Sequence, residues 1–109
     1  MQKSSLIQYW KRNNIIKDKK TIESFKKIKR EDFILKNYKK HAYEDIPLPI
    51  GFNATISQPT TVMLMTEALK IEQGNKIMEI GTGSGYQAAL LSVLVGYKGK
   101  VFKTEIILE

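Results

Sequence analysis

The sequence predicts an α/β fold: one β-α-β unit in the second half of the chain, preceded by a small helical region. Three observations carry that expectation. Ile77-Met78-Glu79-Ile80 is a short apolar, partly β-branched run that enters Gly81-Thr82-Gly83-Ser84-Gly85 directly, and a helix-forming run, Ala88-Ala89-Leu90-Leu91, follows. Strand, glycine turn and helix in that order present backbone N–H groups and a helix N-terminus to a nucleotide-like ligand. Next, Lys100-Val101-Phe102-Lys103-Thr104 reads as a second strand beyond Gly96 and Gly99. Two strands joined through one helix should be parallel, with a right-handed crossover. Finally, the N-terminal third places apolar residues at helical spacing between lysines.

Leu6, Ile7 and Trp10 share one helical face, and Asn13-Asn14 end that segment. Asp18 suits the N-cap of a second helix, in which Ile22, Phe25 and Ile28 recur at a spacing of three. Lys29-Arg30-Glu31-Asp32-Phe33 reads as a helix end and turn, with Phe33, Ile34 and Leu35 as an apolar anchor. Neither helix is long enough to be stable alone, so both must dock. From His41 to Ser57 two prolines and a glycine make the chain extended or looped. Pro59 fits the first turn of a third helix, with Ser57 or Gln58 at its cap and Gly74 as its stop. Val62, Met65 and Leu69 share its face. A helix from about Tyr86 to Val95 and strands at 77–80 and 101–104 complete the reading.

The 109 residues have room for one small domain or part of a larger one. No cysteine is present, which excludes disulfides and cysteine-ligated zinc, and the single histidine, His41, gives a metal site no support. No metal is expected. The first ten residues hold no apolar run of signal-peptide or membrane-span length, so no membrane partner and a cytoplasmic location are expected. The net charge of +7 is uneven: residues 1–41 carry 13 Lys or Arg against 4 Asp or Glu, residues 42–109 carry 5 against 7. Such a half could bind nucleic acid. Sixteen of the 18 basic residues are Lys, however, and no arginine-rich or aromatic-interleaved pattern accompanies them. Solvated helix faces are the better reading.

The spacing of the glycines selects among ligands. A dinucleotide fingerprint needs G-x-G-x-x-G, and its third glycine would fall on Tyr86. The pattern here is G-x-G-x-G with an acid, Glu79, two residues before it. That combination resembles the nucleotide-binding motif of S-adenosylmethionine-dependent methyltransferases. A second motif precedes it: Ala42-Tyr43-Glu44-Asp45, then Leu48-Pro49-Ile50-Gly51, then Thr55-Ile56-Ser57-Gln58-Pro59. Together, in this order and separation, the two resemble the protein-L-isoaspartate O-methyltransferases. The T-I-S-Q-P segment is the particular one; the glycine motif alone fits many methyltransferases. The likeness reaches back to Arg30-Glu31-Asp32-Phe33 and forward to Glu105, but covers only the family's N-terminal half.

The resemblance implies the N-terminal part of a Rossmann-like S-adenosylmethionine-dependent methyltransferase fold. Its divisions are a basic helical region at 1–41, a segment beside substrate and cofactor at 42–58, and the start of the methyltransferase domain at 59–109. It implies methyl transfer from S-adenosylmethionine to the α-carboxylate of L-isoaspartyl residues in damaged proteins or peptides, with Ser57 orienting that carboxylate. Thr55, Ile56, Glu79, Gly81, Gly83, Ser84, Gly85 and Glu105 would face the cofactor, Glu105 through the ribose hydroxyls. Tyr43 and Asp45 would shape the loop over the substrate, although Tyr43 equally suits a buried anchor. Family members run to about twice this length with a seven-stranded sheet. A missing C-terminal half is therefore an expected partner, and the fragment alone is expected to be inactive. The competing reading is a truncated, non-catalytic module that acts by binding.

Overall fold

The computed structural model describes residues 2–81 and 83–104. Four helices, two 3₁₀ turns and two two-stranded sheets follow one another along these residues.

Helix α1, Lys3–Arg12, ends at Asn13, and Asn14 turns the chain with φ 54°. Helix α2, Lys19–Lys27, starts where its cap predicts: the Asp18 carboxylate accepts from the Thr21 N–H at 3.1 Å and the Thr21 hydroxyl at 2.7 Å. Its far end is closed by α1. The Lys3 ammonium donates to the carbonyls of Lys26 and Ile28 at 2.9 and 3.0 Å, where the helix dipole favours a cation. Burial, abetted by Lys29, lowers the Lys3 pKa, with Glu31 opposing. Two 3₁₀ turns, Arg30–Phe33 and Lys36–His41, come next.

The 42–58 segment is more regular than its prolines suggest. Strands β1, Leu48–Gly51, and β2, Ala54–Ile56, form an antiparallel hairpin with a bulge between Pro49 and Gly51. Leu48 and Ile56 pair across it and are both buried, while Pro49 is exposed at a sheet edge, where proline is tolerated. Helix α3 spans Pro59–Ala68. It stops six residues before Gly74, because Lys70 itself takes the left-handed turn with φ 50°. Gly74 belongs to a second turn, closed by Asn75 on Glu72, and its N–H reaches the Val95 carbonyl at 2.7 Å.

Strands β3, Lys76–Ile80, and β4, Lys100–Thr104, are parallel, with Ile77 beside Val101 and Ile80 beside Thr104. Helix α4, Tyr86–Val95, connects them. Only glycine fits at 99: a Cβ there would lie 2.4 Å from the Val95 Cβ and 2.7 Å from the Asn75 carbonyl oxygen. The core lies among the helices and the hairpin, not on the β3–β4 sheet. Trp10, Phe25, Leu6, Ile16, Met63, Tyr86 and Leu90 are its most enclosed apolar members, with the Trp10 and Phe25 rings edge to face at 4.8 Å. One buried cluster thus draws on residues before 41, between 42 and 58, and after 59.

Candidate active site

Beyond the carboxyl end of β3 the chain turns through Gly81, Gly83 and Gly85, whose φ angles are 73°, 57° and 86°. L side chains rarely adopt that region, so the turn needs glycines for conformation rather than for room. A Cβ on Gly81 would meet nothing within 4 Å, and one on Gly83 would meet only Ile50 Cδ1 of the hairpin at 3.6 Å. Two of the turn's N–H groups are engaged internally. Gly81 donates to the Thr104 carbonyl at 2.9 Å, continuing the β3–β4 pairing, and Tyr86 donates to the Ser84 hydroxyl at 3.2 Å.

An open cleft of about 470 Å³ separates this turn from the end of the hairpin and the start of α3. Ligand pockets of enzymes fall in that size class. The structure brings Thr55, Ile56, Ser57, Glu79, Gly81, Gly83 and Ser84 to its walls. Thr55 and Ser57 are exposed at the rim, Ile56 is buried, and Glu79 is half-buried. Gly85 faces the other way, its missing side chain opposite the Phe33 ring. Glu105 lies outside the described residues, as does Thr82 of the turn.

Tyr43 and Asp45 do not line the cleft; both work behind it. The Tyr43 hydroxyl donates to the Glu31 carboxylate and accepts from the Arg30 N–H. Burial, followed by that bond to Glu31, pushes the Tyr43 pKa up. For Glu31 burial acts upward, but the Tyr43 hydroxyl, its own backbone N–H, Lys3 and Lys29 together hold the carboxyl below its usual range. Asp45 caps α3 from a distance, accepting the Thr60 N–H at 2.9 Å and the Thr60 hydroxyl at 2.7 Å. Gln58 occupies the cap position without a side-chain bond.

Sequence reasoning missed several contributors. Met65, Leu69 and Met78 give the cleft an apolar floor, and their exposure could not be read from helical or strand period alone. Gln87 borders it with its amide donating to Thr66 at 2.7 Å. Arg30, counted with the solvated basic residues, is instead wholly buried beside Tyr86. Among the described residues no three His, Asp or Glu side chains converge as a metal-binding group.

A parallel β-α-β unit whose glycine turn lacks the dinucleotide spacing, with a cleft at the carboxyl end of its first strand, is compatible with part of a Rossmann-like methyltransferase fold, and solved methyltransferases superimpose on it. The sequence matches the family model described as Protein-L-isoaspartate(D-aspartate) O-methyltransferase (PCMT) over residues 1–109, and the chain belongs to that family. A protein-L-isoaspartate O-methyltransferase of Thermosipho melanesiensis is 49% identical over 87 residues, covering 80% of this chain and 44% of the relative. One from Ignicoccus hospitalis is 44% identical over 108 residues, 99% of this chain and 51% of its own. A solved protein-L-isoaspartate O-methyltransferase superimposes with a TM-score of 0.82 at 33% identity, over 95% of this chain and 34% of that one. A Plasmodium falciparum family structure in complex with S-adenosyl-L-homocysteine gives 0.80 at 25% identity, over 93% and 47%. The chain spans about half the length of the curated relatives it matches.

Proposed function

We propose that this chain supplies the N-terminal half of a protein-repair enzyme. That enzyme transfers a methyl group from S-adenosylmethionine to the α-carboxylate of L-isoaspartyl residues in damaged proteins or peptides. The observation that carries the reading is the cleft itself: it places Thr55, Ile56 and Ser57 of the T-I-S-Q-P segment opposite Glu79 and the glycine turn.

The residues present fit the methyl donor. The backbone at Gly81 lies open where a Cβ would otherwise stand, the apolar floor suits a thioether chain and a purine, and Glu79 suits an amino group. Thr55, Ile56, Ser84 and Gly83 complete that wall, Gly85 serves it only by letting the turn close behind them, and Glu105 is assigned to the ribose by family resemblance. When bound, S-adenosylmethionine supplies a methyl group already activated by its sulfonium. The acceptor carboxylate is ionised at neutral pH, so the chain need provide no general base. Its work is to hold the attacking oxygen in line and to exclude water. Ser57 would donate its hydroxyl to the acceptor carboxylate. Tyr43 and Asp45 act at one remove, by fixing the segment that carries Ser57.

No described helix is long and apolar enough to cross a membrane. We assign the protein to the cytoplasm, where its protein substrates age. The segments 1–41, 42–58 and 59–109 are best understood as parts of a single folding unit, since one core joins them. Calorimetric titration of the protein from its complete reading frame with S-adenosylhomocysteine and with NAD tests the assignment. The expected result is binding of the former in clear preference; tighter binding of NAD would defeat the methyltransferase reading.

A further inference from the structure

Arg30 is the most anomalous charge in the molecule. It opens the first 3₁₀ turn and is 0% exposed, and among the described residues none of its Nε, Nη1 or Nη2 atoms makes a hydrogen bond of ordinary geometry, the Tyr86 hydroxyl being the polar group that approaches the guanidinium. An arginine does not shed its proton in a protein, so the charge persists in a place where an unpaired charge is strongly disfavoured. Burial pulls its pKa below the ordinary arginine value, opposed by Tyr86, Tyr43 and Asp45.

The surroundings show what the charge serves. The guanidinium carbon lies 5.4 Å from the centroid of the Tyr86 ring, within cation–π range and out of water. The Tyr86 hydroxyl is likewise buried without a hydrogen bond of ordinary geometry, and the Arg30 guanidinium is the group that opposes the rise burial imposes on its pKa. Three residues on, Phe33 tilts onto the same ring at 5.6 Å and approaches the Gly85 Cβ position at 3.9 Å. The Arg30 N–H meanwhile holds the Tyr43 hydroxyl at 3.1 Å, two residues from Asp45, which brackets Thr60. Tyr86 is the first residue of α4 and Thr60 the second of α3, so the two walls of the cleft both lead back to this turn.

We propose that Arg30 is a positioning residue: it clamps Tyr86, and with it the glycine turn, to the Asp45–Thr60 bracket at the start of α3, and so sets the separation of the cleft walls. The cation on the ring face holds one wall, and the bond from the Arg30 N–H to the Tyr43 hydroxyl, two residues before Asp45, ties the turn to the other. For its ligand the inference rests on the methyltransferase reading; for its mechanics it does not.

Arg30→Met and Arg30→Lys, made in the protein from its complete reading frame, test it through three readouts: melting temperature, amide exchange at Tyr86, Ala89 and Thr60, and affinity for S-adenosylhomocysteine. Methionine replaces a buried charge with an apolar chain of similar length, so Tm should hold or rise. Exchange at Tyr86 and Ala89 should nevertheless quicken, and the dissociation constant should rise, each by about tenfold. Lysine keeps the charge but lacks the plane that lies on the ring. Thr60, tied through the Arg30 backbone, should keep its protection in both variants, while Tyr86 stays fast in the lysine variant. Unchanged exchange at Tyr86 in a folded Arg30→Met protein overturns the proposal, as does a uniform loss of protection that merely tracks a fallen Tm. Should the methionine variant not fold, unchanged Tyr86 exchange in Arg30→Lys overturns it equally. Absence of ligand binding in the parent protein would defeat the methyltransferase reading, while the exchange pattern would still decide the role of Arg30.

Discussion

Ser57 leaves β2 exposed at the rim of the cleft, one position before the cap of α3. From the chain alone it suited either a helix cap or a substrate contact. Asp45 removes the first option by taking the Thr60 N–H and hydroxyl, a bracket of the kind that stabilises a helix by about 1 kcal/mol. Ser57 therefore carries no capping duty that its loss would expose. Ser57→Ala should leave unfolding within about 0.5 kcal/mol of the parent. A lost hydrogen bond to a charged acceptor is worth about 1.5–3 kcal/mol, so turnover of an isoaspartyl peptide should fall about ten- to a hundredfold. Steady-state kinetics of the protein from its complete reading frame, beside a denaturant titration followed by far-ultraviolet circular dichroism, checks both numbers. A parental rate would show that Ser57 does not hold the carboxylate. At this scale the sequence exposes residues with motif context, such as Ser57 and the glycines. It hides Asp45 and Arg30, whose roles depend on partners 15 and 56 positions away.

Among the elements, those ended by local chemistry were legible. Asp18 starts α2, Gly85 and Gly96 bound α4, and β3 with β4 lie parallel in the expected places. Elements decided by tertiary contacts were not. The hairpin is hidden by Pro49, which only an edge strand tolerates, and α3 ends at Ala68, turned by Lys70, although a better-suited glycine waits at 74. Glu31, in the first 3₁₀ turn, accepts from the Tyr43 hydroxyl, and this pairing has a pH signature. The Glu31 carboxyl is held below its ordinary 4.5, so the native state binds fewer protons there than the unfolded chain. Its stabilising effect is present above pH 4.5 and is lost as pH falls through the folded value. Tm should therefore drop on the acid limb, and Glu31→Gln, which can still accept from the Tyr43 hydroxyl, should flatten part of that drop. Thermal melts of both proteins from pH 7 to pH 3 check this; parallel curves would remove Glu31 from the account.

For the molecule as a whole, the core and the candidate site share residues: Ile56, Val62 and Tyr86 belong to the buried cluster and line the cleft as well. The helices and hairpin bury Trp10, Phe25, Met63 and Leu90 completely, whereas Met78 and Ile80 of β3 are 66% and 75% exposed. Parallel sheets are normally covered on both faces, and a two-stranded one is marginal by itself. The described residues thus hold a buried core beside a sheet that α4 covers on one side and that leaves Met78, Ile80 and Phe102 exposed. The length of the full sheet was not legible from these residues, because only resemblance speaks of strands beyond Thr104. The most direct test of the central claim is transfer of a labelled methyl group from S-adenosylmethionine to a peptide carrying L-isoaspartate, beside its normal aspartyl isomer. The protein from its complete reading frame should label the isoaspartyl peptide alone, as a base-labile ester, and residues 1–109 by themselves should label neither. Labelling of both isomers, or of neither by the complete protein, would contradict the account.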